Sequence, residues 1–216
     1  MLLSSIQSGL AALYETPVAH CVTDFLVTDA RLARLLENAE QPRNNNERLL
    51  FRQSDDSLDV SLFIDAGILA ALDVSDPYRR LDASNLNDFL IALEGVSHFH
   101  YLIWNAIHAR QVTQLELELQ AEVDKFVTAM MVLDDQGARA DADRVHDVLF
   151  TWVRFDDTAD ATCEKRYREA NRYAGKYCRN LARRFPAQHR EPSFLNELRR
   201  FYRLPQNDKI RCIEQS

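Results

Sequence analysis

Residues 84–133 read SNLNDFLIALEGVSHFHYLIWNAIHARQVTQLELELQAEVDKFVTAMMVL, and their periodicity decides the fold. Ser84 can cap a helix that runs to about His108. Apolar residues surround most of that helix, so it belongs in the interior. Thr113 and Glu116 form an S/T-x-x-E capping box, which starts a second helix continuing to about Leu133. Its opening LELEL alternates as a strand would, but the cap and the Leu/Glu/Gln/Ala content favour helix. Two long helices joined by a few residues pack as antiparallel neighbours.

The flanking segments extend this pattern. Residues 4–14 read as a short helix, and Thr28 is placed to cap another running to about Ala39. QPRNNNE at 41–47 is a polar loop. Leu49–Gln53 and Leu58–Asp65 flank SDDS, and Leu58, Val60, Leu62 and Ile64 alternate with Asp59, Ser61, Phe63 and Asp65. That period of two predicts a β-hairpin with one buried face. Residues 66–72 read as a brief helical turn and 134–143 as a loop. Val145, Val148, Leu149, Trp152 and Val153 have the spacing of an amphipathic helix. A basic helix over 162–185 follows. PAQHREP at 186–192 interrupts it, and Ser193 can cap a last helix ending before Pro205, leaving Lys209–Ile213 as a short strand or irregular chain. The expected fold is mainly α, a helical bundle-like single domain over 1–216. It carries a hairpin insertion at 48–66, centred near 49–65, and basic C-terminal helices over 162–204.

Composition agrees with this class. Apolar residues make up 46% and charged residues 27% of 216, the balance of a chain with one sizeable core. Five glycines and six prolines are too few for the turns of an all-β sandwich or barrel. No stretch approaches the roughly 18–20 apolar residues of a membrane span, and MLLSSIQSGLAALYE lacks the basic start of a signal peptide. Cys21, Cys163, Cys178 and Cys212 form no CxxC pair and read as reduced thiols. The expectation is a cytoplasmic protein with no membrane partner.

Two residue patterns stand out as candidate sites. In the first long helix Asn87, Glu94, His98 and Asn105 fall within about 40° of one line, and Glu94 and His98, four apart, share a face. In the second, Glu118 and Glu122 are also four apart. Glu122 interrupts the apolar track Leu119–Val123–Phe126, where a carboxylate needs a partner. Facing helices would bring Glu94, His98, Glu118 and Glu122 together. Carboxylate and imidazole ligands on facing helices hold divalent metals in bundle proteins. The spacing here is Glu-x-x-x-His, whereas di-metal bundles favour Glu-x-x-His. A metal-free alternative is a buried network, Glu94 with His98 and Glu122 with Lys125, that fixes helix register. In either chemistry these four are the candidate catalytic and metal-ligating residues, with a divalent ion as the possible cofactor.

The second pattern is TCEKRYREANRYAGKYCRNLARRF at 162–185. Lys165, Arg168, Arg172, Lys176, Arg179 and Arg183 lie within about 40° of one line. Cys163, Tyr167, Ala170, Ala174, Tyr177, Cys178, Leu181 and Phe185 form the opposite, core-facing stripe. Residues 160–216 hold 14 Lys/Arg against 7 Asp/Glu, while 1–159 hold 12 against 26, which gives the net −7 of the whole chain. Such asymmetry suits a basic surface for an acidic protein partner, a second copy of the chain, or nucleic acid. It also suits a basic tail packed on its own acidic body.

HExxH, GxSxG, GxxxxGK[ST] and GxGxxG are all absent. The function expected is therefore a non-enzymatic binding or regulatory module working through the basic face. Its alternatives are a metal-dependent or acid–base enzyme centred on the Glu/His set, and a nucleic-acid-binding protein.

Overall fold

The structure is a computed structural model that describes residues 2–37, 46–53, 57–138, 141–151, 161–186 and 190–215. In chain order the elements are α1 (Leu2–Tyr14), a 3-10 turn (Val22–Phe25), β1 (Leu26–Val27), α2 (Ala30–Glu37), β2 (Glu47–Gln53), β3 (Leu58–Ile64), α3 (Ala66–Val74), α4 (Leu86–Ile107), α5 (Gln114–Asp135), α6 (Ala142–His146), α7 (Ala161–Arg184), α8 (Pro192–Arg203) and α9 (Gln206–Glu214). Helix takes up 70% of the described residues, beside one three-stranded sheet. No described helix is long and apolar enough to cross a membrane.

The central pair forms as its periodicity predicts. Thr113 caps α5, its hydroxyl accepting from Glu116 N at 3.1 Å. Contacts of Glu94 with Lys125, Ser97 with Asp124 and Tyr101 with Glu116 set the two helices antiparallel. The turn between them ends α4 with Ala109 at φ 53°, a left-handed conformation, while Arg110 N donates back to Asn105 O. α7 packs along the side of α5, α1 lies on α4, and α8 covers α1. One buried hydrophobic cluster joins α1, β3, α3, α4, α5, α7, α8 and α9. Within it Tyr14 stacks on Tyr202 at 4.1 Å, and Tyr101 and Trp104 meet the same Tyr202 ring edge-on.

The hairpin is β2 antiparallel to β3, with Leu49 opposite Leu62 and Phe51 opposite Val60. Its connecting residues 54–56 lie outside the described set. β1 adds to the other side of β3 in parallel, giving the order β1-β3-β2. The expected alternation fails at Phe63, which is buried along with Leu62 and Ile64 because the Arg48 guanidinium lies over its ring at 4.7 Å.

Several boundaries need correction. Asp29 rather than Thr28 caps α2, its carboxylate accepting from Arg31 N and Leu32 N. α4 starts after Asn85, and the Ser84 hydroxyl turns to Asp82 instead. α8 opens with Pro192 at its first turn, ahead of Ser193. α6 does not continue as a regular helix through Val148 and Leu149. It widens into a π-helical turn over Asp147–Thr151, where Asn171 Nδ2 donates to Leu149 O at 3.2 Å. Trp152 and Val153 lie outside the described residues. The segment Lys209–Ile213 is neither strand nor irregular but part of α9, which buries Lys209 and Ile213 on one face.

Candidate functional site

Four of the candidate residues meet at the α4–α5 interface, where β2 and α7 each contribute another charged side chain. α4 carries Glu94 and His98, α5 carries Glu118, Glu122 and Lys125, β2 opens with Glu47, and α7 supplies Arg166. Lys125 Nζ donates to Glu94 Oε2 at 2.9 Å and to Glu122 Oε1 at 2.6 Å. His98 Nδ1 is 3.5 Å from Glu47 Oε1, and its Nε2 is 3.5 Å from Glu118 Oε2. Arg166 Nε stands 3.8 Å from Glu118 Oε1. The expected Glu94–His98 pairing within one helix is therefore replaced: Glu94 reaches across to Lys125, and His98 sits between carboxylates from a strand and the facing helix. The Glu122–Lys125 pairing is as expected.

Glu47 reaches this centre because α4 has no side chain where it crosses. A Cβ on Gly95 would lie 2.8 Å from Glu47 Cγ and 3.0 Å from Leu62 Cδ1. The glycine lets the glutamate stem lie against the helix backbone, between Glu94 and His98. Glu47, Arg48, His98, Gln114, Glu118 and Arg166 line a pocket of about 80 Å³ at the surface of this cluster, with room for a few water molecules.

The electrostatics follow from burial and crowding. Burial opposes a charge on His98, but Glu118 and Glu47 outweigh it and push the imidazole well above its ordinary pKa. Burial raises the Glu47 carboxyl, and His98 offsets only part of the rise. Burial works against the Glu94 carboxylate too, yet Lys125 and His98 hold it below its usual range. Glu122 shares the same lysine and is raised by burial, with Glu94 adding to the rise. The centre is thus proton-rich, with charge concentrated on Glu94, Lys125 and His98.

A second polar centre lies on the other side of α5 and is sealed from water. Asp124 accepts from Tyr14 at 2.5 Å, Ser97 at 2.6 Å and Gln120 at 2.8 Å. Lys209 of α9 donates to Gln120 Oε1 and lies over the rings of Tyr101, Phe201 and Tyr202. Complete burial pulls the Lys209 ammonium down to about 7. His100 faces Thr16 at 2.9 Å, away from the His98 cluster, and burial lowers it to about 4.

The basic row occupies one face of α7. Lys165, Arg168, Arg172, Lys176, Arg179 and Arg183 are all exposed, backed by buried Ala170, Ala174, Tyr177, Cys178 and Leu181 and half-buried Tyr167. The side chain of Cys163 lies outside the described residues; Cys21, Cys178 and Cys212 are thiols. Along the row Arg168 pairs with Glu164 at 2.6 Å, Arg179 approaches Asp147 at 3.9 Å, and Lys176 donates to Glu214 O. Arg172 lies over the Tyr173 ring at 4.2 Å.

The arginines beyond the row behave differently. Arg190 pairs with Asp135, Arg199 with Glu15, and both Arg184 and Arg200 with Glu197. Basic tail and acidic body do pair, through Arg166 and Arg179 of α7 and through Arg190 and Arg199 at α8.

No protein-family model, curated protein sequence or solved structure matches this chain. Among the residues at the two centres, Glu47, Gly95, Arg166, Asp124, Gln120 and Lys209 were missed by sequence reasoning. Gly95 was the available signal, since a lone glycine inside a buried helix marks a close approach.

Proposed function

We propose that this protein is a binding module whose working surface is the Arg/Lys face of α7, engaging an acidic protein partner or another polyanion. One observation carries the reading. Six cations stand exposed on one helix face while Arg199 and Arg200 of α8 are taken up by carboxylates of the same chain and Arg203 by backbone carbonyls. Among the described residues Lys165, Arg172 and Arg183 make no ion pair. From Lys165 to Arg183 the row spans about 27 Å, and its arginines suit bidentate contacts with carboxylate or phosphate.

The test is binding of fluorescent poly-glutamate and of a short labelled RNA, each over a salt series. The wild-type chain is expected to bind an anionic polymer with an affinity that falls as salt rises. The variant with Lys165→Glu, Arg172→Glu and Arg183→Glu should lose at least about tenfold in affinity with its helical signal unchanged, because exposed charge reversals cost little stability. A log–log salt slope that drops by about one for each lost contact would identify phosphate as the ligand group. Affinity unchanged by the triple reversal for both polymers rejects the basic face as a binding surface.

A further inference from the structure

We propose that Glu47, Glu94 and His98 form a binding site for one divalent transition-metal ion. The inference is independent of the basic face of α7. One ligand atom from each of the three residues lies within 4.8 Å of the other two. Ligand atoms around an ion with bonds of about 2.0–2.2 Å stand roughly 3.0–3.5 Å apart. Closing the set therefore needs about 1 Å of movement, which two glutamate stems can supply.

The surroundings are arranged as a ligating imidazole requires. His98 Nδ1 faces Glu47, and Nε2 faces Glu118 at 3.5 Å without making a hydrogen bond. The imidazole is 6% exposed and forms part of the pocket wall with Glu47 and Glu118. Metal-bound histidines donate their second nitrogen to a carboxylate, which fixes the ring; Glu118, held by Arg166, stands in that place. Lys125 engages Glu94 through Oε2 and leaves Oε1 to the ion. Four carboxylates, Glu47, Glu94, Glu118 and Glu122, outnumber the cations Lys125, Arg166 and Arg48 around them, and an ion bound here would displace the proton that Glu47 and Glu118 favour on His98. Two carboxylates and one imidazole favour Mn²⁺, Fe²⁺ or Zn²⁺ over Ca²⁺, which takes oxygen alone, and over soft Cu⁺. The remaining positions would be filled by water from the pocket.

The experiment uses the full chain stripped with a chelator. Mn²⁺ is titrated by electron paramagnetic resonance and Zn²⁺ by calorimetry. One ion per chain is expected, with a rise in melting temperature on loading. Glu47→Gln and His98→Asn should each weaken binding roughly 100-fold or more, and Glu118→Gln about 10–100-fold. Gly95→Ala keeps every ligand and favours helix, yet its methyl meets Glu47 Cγ at 2.8 Å. It should weaken binding as well, which keeps the test decisive if a ligand variant fails to fold. Stripped wild-type chain that is folded yet binds neither ion below millimolar concentration overturns the site. So does affinity unchanged in both Glu47→Gln and Gly95→Ala. Neither result touches the α7 reading, which is measured by polymer binding.

Discussion

Lys209 shows how much one side chain can depend on residues distant in sequence. Its ammonium is fully buried beneath three aromatic rings, and burial lowers it from 10.5 to about 7 despite the opposing pull of Glu116 and Asp124. Between those two values the unfolded chain holds a proton that the folded chain has released. Stability therefore rises with pH across that window and is lost as pH falls towards 7. The total is on the order of a few kcal/mol. Urea unfolding of wild type and Lys209→Met at pH 7.0, 7.75 and 8.5 should show the wild type gaining on the variant by about 1 kcal/mol per pH unit. Parallel curves would mean that Lys209 is not lowered. Nothing in the sequence around 209 announces this role. A lysine beside isoleucine in a polar segment is unremarkable until α9 folds it against α4, α5 and α8. Glu47 was hidden for the same reason, since its partners Glu94 and His98 lie more than forty residues away and its own neighbourhood reads as loop. Glu94, His98, Glu118 and Glu122 were legible because polar residues on an otherwise apolar helix face are conspicuous within a single turn or two.

At the level of elements, the α4–α5 hairpin and α7 followed from local periodicity alone. Their apolar faces repeat over five or more turns, and no distant contact is needed to read them. α9 was missed because nine residues give too few turns for a clear period, although Pro205 and Asp208 offered a helix start. The π-helical turn was missed because it depends on Asn171 reaching a carbonyl from α7. The hairpin loop offers a specific prediction. Ala109 sits at φ 53°, where an L side chain is strained and glycine is not. It is exposed, so nothing but backbone conformation is at stake. Ala109→Gly should raise stability by about 0.5–1 kcal/mol, read as a higher urea midpoint at unchanged slope. A lower midpoint would show that unfolded-state entropy outweighs the relief of strain.

Across the whole molecule, charge is divided between inward and outward uses. Arg199 and Arg203 of α8 bind the end of α1, the α7 row faces solvent, and the acidic excess of the first 159 residues supplies the carboxylates of both polar centres flanking α5. The clasp between α1 and α8 has a further meaning, in time rather than in space. Tyr14 meets Tyr202, Arg199 Nε donates to Leu13 O and Arg203 Nη2 to Tyr14 O, contacts that close loops of more than 180 residues. Loops of that size are costly to close early, whereas the α4–α5 hairpin is joined by contacts such as Tyr101 with Glu116, 15 residues apart, and Glu94 with Lys125, 31 apart. The hairpin is then the natural nucleus, and the clasp engages after the rate-limiting barrier. In stopped-flow measurements Arg199→Ala should leave the refolding rate within about twofold and carry nearly all of its destabilisation in faster unfolding. Refolding slowed in proportion to the lost stability would place the clasp in the nucleus instead. A clasp formed last is also the first to open, so α1 would leave the core by reversible local release well before the central pair comes apart.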